Sequence, residues 1–292
     1  MVTIGVFDGV HHGHQQIIGR AVERARELGV PSVVLTFDPH PIEVLRPGMH
    51  PPVLTSQRYR AELIEQLGVD VVCALPFTVE RSRQSAEDFV HEVLVEKLHV
   101  SEVVVGDNFR YGSKGAGDIT SLAADGRRFG FTVEGVPLLG RDLQTNWSST
   151  YVRSCVQAGD VESAARALGR DHRVEGVVVR GDQRGREIGY PTANLDPIPW
   201  SAVPADGVYA GHLVRAGEHL PAAISIGTNP TFAGDERRVE AFLLDFSGDL
   251  YGERVGLSFA ARLRDTWRFD RVEDLVEQMA RDVARTVEIT SA

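Results

Sequence analysis

The chain has little of what disulfide-stabilised, membrane-bound and nucleic-acid-binding proteins depend on. Only two cysteines occur among 292 residues, Cys73 and Cys155, so no disulfide framework is expected and a reducing compartment, the cytoplasm, is favoured. No signal peptide is evident, and no apolar run is long enough to cross a bilayer. Lys and Arg residues are outnumbered by Asp and Glu, 31 to 41, so the formal net charge is -10. We therefore expect neither nucleic acid nor a membrane as a partner, and we infer no obligate protein partner.

What is present is typical of a globular protein. Hydrophobic residues make up 42% of the chain and charged residues 25%, which are ordinary proportions. A length of 292 residues exceeds the usual size of one domain, so two domains are expected. Cys73 lies in an apolar run and is predicted to be a small buried hydrophobe. Between residues 166 and 172 the alternation of strands and helices gives way to short strands separated by turn residues. We therefore predict the domain boundary there, with domains at 1–168 and 169–292.

In the first half, short apolar runs alternate with amphipathic helices. The first helix has apolar residues at helical spacing from Ile17 to Leu28, and Gly29 predicts its end. Ser85 predicts the start of a later helix. Uniformly apolar strands between helices predict an α/β domain of the Rossmann type, with a parallel sheet covered on both faces. The predicted strands are residues 3–6, 33–37, 69–75, 103–105 and 131–133.

Polar loops follow the predicted strands at the edge where such sheets bind ligands. Three of them come directly after a strand, and the fourth opens a late helix. They are residues 8–14, 38–41, 106–112 and 148–153. Four polar loops at one edge favour a binding site over a set of unrelated surface turns.

The first loop has the composition of a phosphate site. Its glycines let the backbone approach a ligand closely, and it leads into the positive end of a helix. His11 and His14 are three residues apart, so a helical turn directs both toward one side. We therefore predict that this stretch holds a triphosphate.

Each loop also has an ordinary structural interpretation. Glycine-rich turns are common after strands, and His40 between two prolines could belong to a rigid surface turn. Residues 148–150 could be simple helix caps. A zinc site formed by His11, His12, His14 and His40 is a further alternative, although no cysteine lies near them.

The second half consists of short strands separated by turn residues. This pattern predicts an antiparallel barrel or sandwich. The predicted strands are residues 174–179, 207–214, 222–226, 239–246 and 255–261. A final helix carries Val272, Leu275, Val276, Met279 and Val283 on one face.

Three features of this half suggest chemistry. Gly181, Gly185 and Gly189 are spaced by four among arginines and could form a phosphate cradle, although no Walker motif occurs. Thr192 and Asn194 would face the same side of an extended segment and offer oxygen ligands suited to Mg²⁺. Glu240 begins an apolar strand, where an inward carboxylate would be costly without a role. The alternatives are a basic surface hairpin, a turn at a sheet edge and a salt-bridged strand end.

These motifs resemble those of the bacterial bifunctional riboflavin kinase/FMN adenylyltransferase family, also called FAD synthetases. In the first half the similar stretches are GVFDGVHHGH (5–14), TFDPHP (36–41), GDNFRYG (106–112) and SSTYVR (148–153). In the second half they are GYPTANL (189–195), SIGTNPTF (225–232), VEAF (239–242) and DLYG (249–252). Family members generally carry more residues before the first strand, and the segment between Val136 and Ser148 looks short. The resemblance otherwise covers nearly the whole chain, in the same order.

The resemblance implies a two-step synthesis of FAD from riboflavin. A C-terminal barrel would phosphorylate riboflavin to FMN with ATP, and an N-terminal nucleotidyltransferase domain would adenylylate FMN. The implied partners are riboflavin, FMN and ATP, with Mg²⁺ as the metal. Alternatives are an enzyme acting on another phosphate monoester and a flavin-sensing protein without turnover.

The resemblance also implies a role for individual residues. Catalysis would fall to Glu240, His11 and His14, with Mg²⁺ held by Thr192 and Asn194. His40, Asn108 and Phe109 would contact the flavin. ATP would be bound by Gly5, Phe7, Asp8, Gly9, Gly13, Ser149, Thr150, Arg153, Gly181, Gly185, Gly189 and Thr192.

Overall fold

The computed structural model describes residues 1–137, 147–181, 184–228 and 237–291. The chain divides into two compact units, one formed by Met1–Pro51 and Gln57–Ser148, the other by Pro52–Ser56 and Ser149–Ala292. Residues 138–146, 182–183, 229–236 and 292 lie outside the described residues, so they include most of the short segment between Val136 and Ser148 and parts of the glycine-arginine stretch and of the SIGTNPTF motif.

The first unit alternates strands and helices, as the sequence predicts. Its elements are β1 (Val2–Ile4), α1 (His12–Leu28), β2 (Val33–Asp38), α2 (Pro41–Leu45), α3 (Gln57–Glu65), β3 (Val71–Pro76), α4 (Val79–Arg83), α5 (Ala86–Phe89) with a π-helical continuation (Val90–Lys97), β4 (Glu102–Gly106), β5 (Arg110–Tyr111), a 3-10 turn (Ser113–Gly115), β6 (Gly117–Asp118), α6 (Ile119–Phe129) and β7 (Thr132–Val136).

The main sheet of this unit is parallel and has the order β3-β2-β1-β4-β7. Val2 pairs with Val33 on one side and with Val103 on the other, so β1 lies between β2 and β4. The chain runs from β1 to one side of the sheet and later returns to the other. The switch point therefore lies beside the carboxyl end of β1, where ligands bind in sheets of this kind.

Helix α1 is fixed to the sheet by apolar packing and by two bidentate ion pairs. Its buried face contains Ile17, Ile18, Ala21, Val22 and Ala25. Gly29 ends it in the left-handed conformation, as predicted, whereas Leu28 is 44% exposed. Arg24 donates to both carboxylate oxygens of buried Glu102 at 3.0 and 2.9 Å, and Arg20 does the same to Glu134 at 2.6 and 3.1 Å. These contacts tie the helix to β4 and β7.

Two further sequence-based predictions concern helix starts and cysteines. Ser85 caps α5 by accepting a hydrogen bond from the backbone N–H of Asp88 at 3.0 Å, as predicted.

Both cysteines are free. Cys73 is half-buried rather than fully buried, because β3 is an edge strand of the sheet. Burial raises the pKa of the Cys155 thiol.

The second unit is built around a closed antiparallel barrel, so the barrel prediction is confirmed. Its strand order is β10-β11-β12-β9-β8-β13. The elements are α7 (Ser149–Ala158), α8 (Val161–Leu168), β8 (His172–Val179), α9 (Arg184–Glu187), β9 (Thr192–Pro197), β10 (Gly207–Arg215), β11 (Glu218–Thr228), β12 (Arg237–Leu243), β13 (Arg254–Arg264) and α10 (Val272–Thr290).

The barrel interior is apolar and fully enclosed. Tyr209 and Phe259 pack edge to face within its core, with ring centroids 5.4 Å apart, and neither side chain is exposed. The Tyr209 hydroxyl donates to the carbonyl of Ala205 at 2.7 Å, which satisfies the one polar atom of this large ring.

The final helix is present, and Leu275, Val276, Met279 and Val283 of its apolar face are half-buried, but the pattern was wrong about Val272 and did not indicate the two most buried residues. Val272 is 58% exposed, and the buried residues of α10 are Asp282 and Thr286. Arg264 donates to both carboxylate oxygens of Asp282, at 3.0 and 2.8 Å to Oδ2 and 3.2 Å to Oδ1. A charged residue can occupy this face because its carboxylate is paired and hydrogen-bonded.

We predict that Asp282→Ala lowers the free energy of unfolding by about 3 kcal/mol, because it leaves the Arg264 guanidinium partly buried without its counter-ion. Chemical denaturation followed by circular dichroism measures this change. Glu277→Ala is the matched control on the same helix, since its pair with Arg281 is exposed and should contribute about 0.5 kcal/mol or less. Equal losses in the two variants would contradict the prediction.

Candidate active sites

The loop after β1 has a backbone that few residues adopt. Phe7, Gly9 and Val10 have φ angles of 51°, 86° and 43°, in the left-handed region. The Val10 N–H donates to the Phe7 carbonyl at 3.1 Å, which closes the turn. A Cβ on Gly5 would lie 2.9 Å from the Phe7 ring, so this position leaves no room for a larger residue. Such a strained conformation persists only when its surroundings hold it in place.

A buried ion pair holds this loop. Arg60 on α3 is 3.5 Å from the Asp8 carboxylate, and the two side chains are only 4% and 2% exposed. Arg60 also donates to the Val6 carbonyl at 3.0 Å, and the Thr36 hydroxyl donates to the same carbonyl at 3.2 Å. The Asp8 side chain therefore anchors the loop to α3 through a buried ion pair.

The predicted pair of histidines is brought together at the start of α1. His11 is the N-cap residue, and the rings of His11 and His14 stack with centroids 3.7 Å apart. The Phe7 ring meets His14 edge to face at 5.3 Å. A Cβ on Gly13 would lie 3.2 Å from the His11 ring, so this glycine lets the ring pack against the helix.

Residues around the histidines continue the network. Gln15 donates to the Val10 carbonyl at 2.9 Å, and its side-chain oxygen lies 3.1 Å from Nδ1 of His12. Trp147 meets the His12 ring edge to face at 6.2 Å. The residue that precedes the fourth predicted loop therefore lies beside the first turn of α1.

The second and third loops follow β2 and β4, which flank β1. His40 is the N-cap of α2, and its Nδ1 accepts from the Ile42 N–H at 3.1 Å, so part of its role is the rigid turn weighed above. The Phe109 ring stacks on Tyr111 at 5.5 Å with 12° between the planes. Asn108 is exposed. Because β1, β2 and β4 are parallel neighbours, these loops share one edge of the sheet.

The fourth loop lies in the second unit from Ser149 onward, whereas Ser148 ends the first unit. Ser149 and Thr150 open α7, and Arg153 follows one turn later. The Arg153 Nε–H donates to the carbonyl of Pro52 at 2.7 Å. Their approach to the other three loops stays a prediction.

A cleft of about 480 Å³ lies along α1 near the end of β7. It is lined by Gln15, Gln16, Gly19, Arg20, Glu23, Glu134, Val136 and Pro137.

On the barrel, Thr192, Asn194 and Glu240 are grouped. Glu240 pairs with Asn194 in the ladder between β12 and β9, and the Thr192 hydroxyl donates to Oε2 of Glu240 at 3.0 Å. Val239 and Ala241 belong to the barrel core, so strand alternation directs Glu240 to the outer face. The carboxylate therefore avoids the cost of an inward position, because Val239, Ala241 and Leu243 occupy the core-facing positions of this strand.

The three glycines near this group are required for different reasons. A Cβ on Gly181 would lie 2.4 Å from the side-chain nitrogen of Asn194, and one on Gly185 would lie 2.2 Å from the Tyr190 carbonyl. Gly189 has a φ of 85°. Residues Arg184–Glu187 form one helical turn rather than a hairpin, and the Tyr190 N–H donates to the Gly185 carbonyl at 2.7 Å.

The donor set on the barrel suits a hard cation that is shared with phosphates. Hydroxyl, amide and carboxylate oxygens are ligands that Mg²⁺ accepts, and Mg²⁺ is usually held by one or two carboxylates plus substrate phosphates. Within the described ranges, no group of three or more His, Cys, Asp or Glu side chains could hold a metal ion.

Sequence reasoning missed Arg60 and Trp147. Arg60 shares the buried face of α3 with Leu63 and Ile64, so a cation on an apolar stripe was the available signal. Trp147 directly precedes the fourth loop, and nothing in the local pattern indicated its contact with His12.

Two protein-family models match the chain, FAD synthetase over residues 1–151 and riboflavin kinase over residues 168–290. A bifunctional riboflavin kinase/FMN adenylyltransferase from Pseudomonas fluorescens is 41% identical over 285 residues, covering 97% of this chain and 91% of that protein. The enzyme of that name from Escherichia coli strain K12 is 35% identical over 283 residues, covering 97% and 90%. The crystal structure of a protein described as a macrolide-efflux protein from Streptococcus pneumoniae is 34% identical, with a TM-score of 0.87 over 98% of this chain and 93% of that one.

In the described part of this chain, no helix is both long enough and apolar enough to span a bilayer.

We predict that Arg60→Met destabilises the first unit by about 3 kcal/mol, because the Asp8 carboxylate stays buried without its cation. Thermal and urea unfolding at pH 7 measure the loss. The double variant with Asp8→Asn removes both charges and should recover part of the stability. A double variant no more stable than Arg60→Met would contradict the ion pair as the cause.

Proposed function

We propose residue roles for the two reactions of the family to which this chain belongs, the bifunctional riboflavin kinases/FMN adenylyltransferases. The chain is an enzyme that phosphorylates riboflavin to FMN and then adenylylates FMN to FAD, using ATP in both steps. We assign adenylyl transfer to residues 1–168 and the kinase reaction to residues 169–292. The extents of the two matched family models support this division.

In the kinase reaction, a ribityl hydroxyl of riboflavin attacks the γ-phosphorus of ATP and ADP leaves. Glu240 is the general base that takes the hydroxyl proton. The observation that supports this role is the hydrogen bond from Thr192, which holds the carboxylate on the outer face of the barrel beside Asn194. Phosphoryl transfer depends mostly on alignment and charge neutralisation, so few side chains are needed.

We infer that Thr192 and Asn194 hold Mg²⁺ together with the phosphates of ATP. The cation would neutralise charge on those phosphates. Asn194 is kept in place by its packing over Gly181, where no Cβ fits. We assign Gly181, Gly185 and Gly189 to the nucleotide-binding loop, because their backbone positions exclude or disfavour larger residues.

In adenylyl transfer, a phosphate oxygen of FMN attacks the α-phosphorus of a second ATP, and pyrophosphate leaves. The substrate phosphate is already an anion, so the protein supplies no nucleophile. His11 and His14 stabilise the charge that develops on the phosphates. The observation that supports this site is the stacked pair of rings at the start of α1, beside the switch point of the sheet.

Other residues complete the adenylyl site. Gly5, Phe7, Gly9 and Gly13 shape the phosphate loop, with Asp8 as its buried support. Ser149, Thr150 and Arg153 assist at the phosphates. Asn108, Phe109 and His40 face the flavin, where the stacked Phe109 ring offers an aromatic surface. The cleft beside α1 and Val136 is our candidate for the adenine. The free cysteines support a cytoplasmic location.

We predict that Glu240→Gln lowers the rate of FMN formation from riboflavin at least about 100-fold, because the amide keeps the shape of the side chain but cannot accept the proton. Conversion of supplied FMN to FAD should stay within twofold of the wild type. Chromatography of the flavins over time measures both steps. Glu218→Gln, at an exposed barrel residue, is the control. Loss of both activities in a folded Glu240→Gln protein would contradict the assignment.

We predict the reverse pattern for His14→Ala. Removal of the imidazole should lower the rate of FAD formation from FMN about 100-fold or more, since charge on the phosphates is no longer stabilised. Riboflavin phosphorylation should continue, so FMN accumulates. His91→Ala, which changes an exposed histidine in the same unit, is the control. A normal yield of FAD from FMN would remove His14 from the site.

A further inference from the structure

A short segment of the first half of the chain belongs to the barrel unit. We call residues 52–56 the strap. Its Val53 N–H donates to the Trp200 carbonyl at 2.8 Å, and its carbonyl accepts from the Ala202 N–H at 2.8 Å, so Val53 bridges Ser201 in parallel. Leu54 and Thr55 are only 3% and 4% exposed. The strap is therefore fixed along its backbone and buried.

Side chains fix the end of the strap to β8. The Ser56 hydroxyl donates to Oε2 of Glu175, a carboxylate that is buried inside the unit. Arg173 donates to the other oxygen of Glu175 at 3.1 Å. Arg173 in turn lies across Gly256, where a Cβ would come within 2.1 Å of its Nε. Glu175 is thus held on both oxygens, and Ser56 is fixed through it.

The residues just before the strap hold the second loop of the adenylyl site. His50 stacks with His40 at 6.3 Å between ring centroids. Its Nε2 lies 2.6 Å from the Glu43 carboxylate, and its Nδ1 lies 2.9 Å from the Pro51 carbonyl. The strap begins at Pro52, two residues after His50.

The residues just after the strap hold the first loop and the end of β2. Gln57 donates to the Phe37 carbonyl at 2.9 Å. One turn later, Arg60 makes the contacts with Val6 and Asp8 described above. A shift of Ser56 would therefore be passed along the chain to both loops within a few residues.

The strap also contacts a residue assigned to the nucleotide. The Pro52 carbonyl accepts the Nε–H of Arg153, which orients the guanidinium of that side chain.

We propose that Ser56 and Glu175 are positioning residues for adenylyl transfer, although Glu175 lies on a strand of the kinase barrel. By fixing the strap, their hydrogen bond sets the positions of the residues on either side of it, His50 and Gln57 to Arg60, which contact the His40 loop, the end of β2 and the Asp8 loop. The proposal rests on the assignment of adenylyl transfer to these loops. It predicts an effect of a barrel residue on FAD formation that leaves riboflavin phosphorylation unchanged.

The test uses Ser56→Ala and Glu175→Gln in the full chain, with each step assayed alone by supplying either FMN or riboflavin. We expect kcat for FAD formation to fall about tenfold, since small misplacements of reacting groups reduce rates strongly. The kcat and KM for riboflavin phosphorylation should stay within twofold. Ser56→Thr keeps the hydroxyl and should restore FAD formation.

Ser201→Ala is the matched control. Its hydroxyl lines the same small cavity as Ser56 and Glu175, but it bonds to the Ile198 carbonyl and not to the strap. It should leave both activities unchanged. An unchanged rate of FAD formation in Ser56→Ala, or a parallel fall of both activities, would overturn the proposal. His14→Ala is assayed alongside the wild-type protein. Normal FAD formation in His14→Ala would contradict the assignment of the adenylyl site, whereas normal FAD formation in Ser56→Ala alone would contradict only the role of the strap.

Discussion

The buried ion pair between Asp8 and Arg60 is the interaction on which the first unit's site depends. The loop after β1 contains non-glycine residues in the left-handed region, a conformation that must be imposed by its surroundings. Arg60 imposes it from below, by holding both the Asp8 carboxylate and the Val6 carbonyl. The pair thus holds the loop geometry, and loss of either partner would leave an uncompensated buried charge. The stacked histidines at the start of α1 follow directly from that geometry.

In the barrel, regular strand pairing positions the candidate site residues, without a strained loop. Its strands place alternate residues inside and outside, so the apolar core and the Glu240 carboxylate share one strand without conflict. Glu240 needs no strained backbone, only a register that sets it opposite Asn194 and within reach of the Thr192 hydroxyl. One site thus depends on a distorted loop, and the other on regular pairing.

Several features could be predicted because their causes are local. The spacing of apolar residues in α1, the Gly29 stop and the Ser85 cap depend on neighbours in sequence, and all three are confirmed. The buried face of α10 could be predicted only in part, because the burial of Asp282 depends on Arg264, on a different element. The outward direction of Glu240 could not be predicted, since hydrophobicity alone does not decide which residues of β12 face the barrel core. Arg60 was missed because its partner Asp8 lies 52 positions away.

The sequence by itself determined the two-part architecture, the order of the motifs and the side chains available for catalysis. These follow from short-range periodicity and from residue types, which need no knowledge of distant contacts. Only the tertiary structure decided which of those side chains meet. The stacking of His11 on His14, the Thr192–Glu240 hydrogen bond and the anchoring of residues 52–56 all depend on packing and strand register. Register and packing are set by the whole core at once, so no local pattern encodes them.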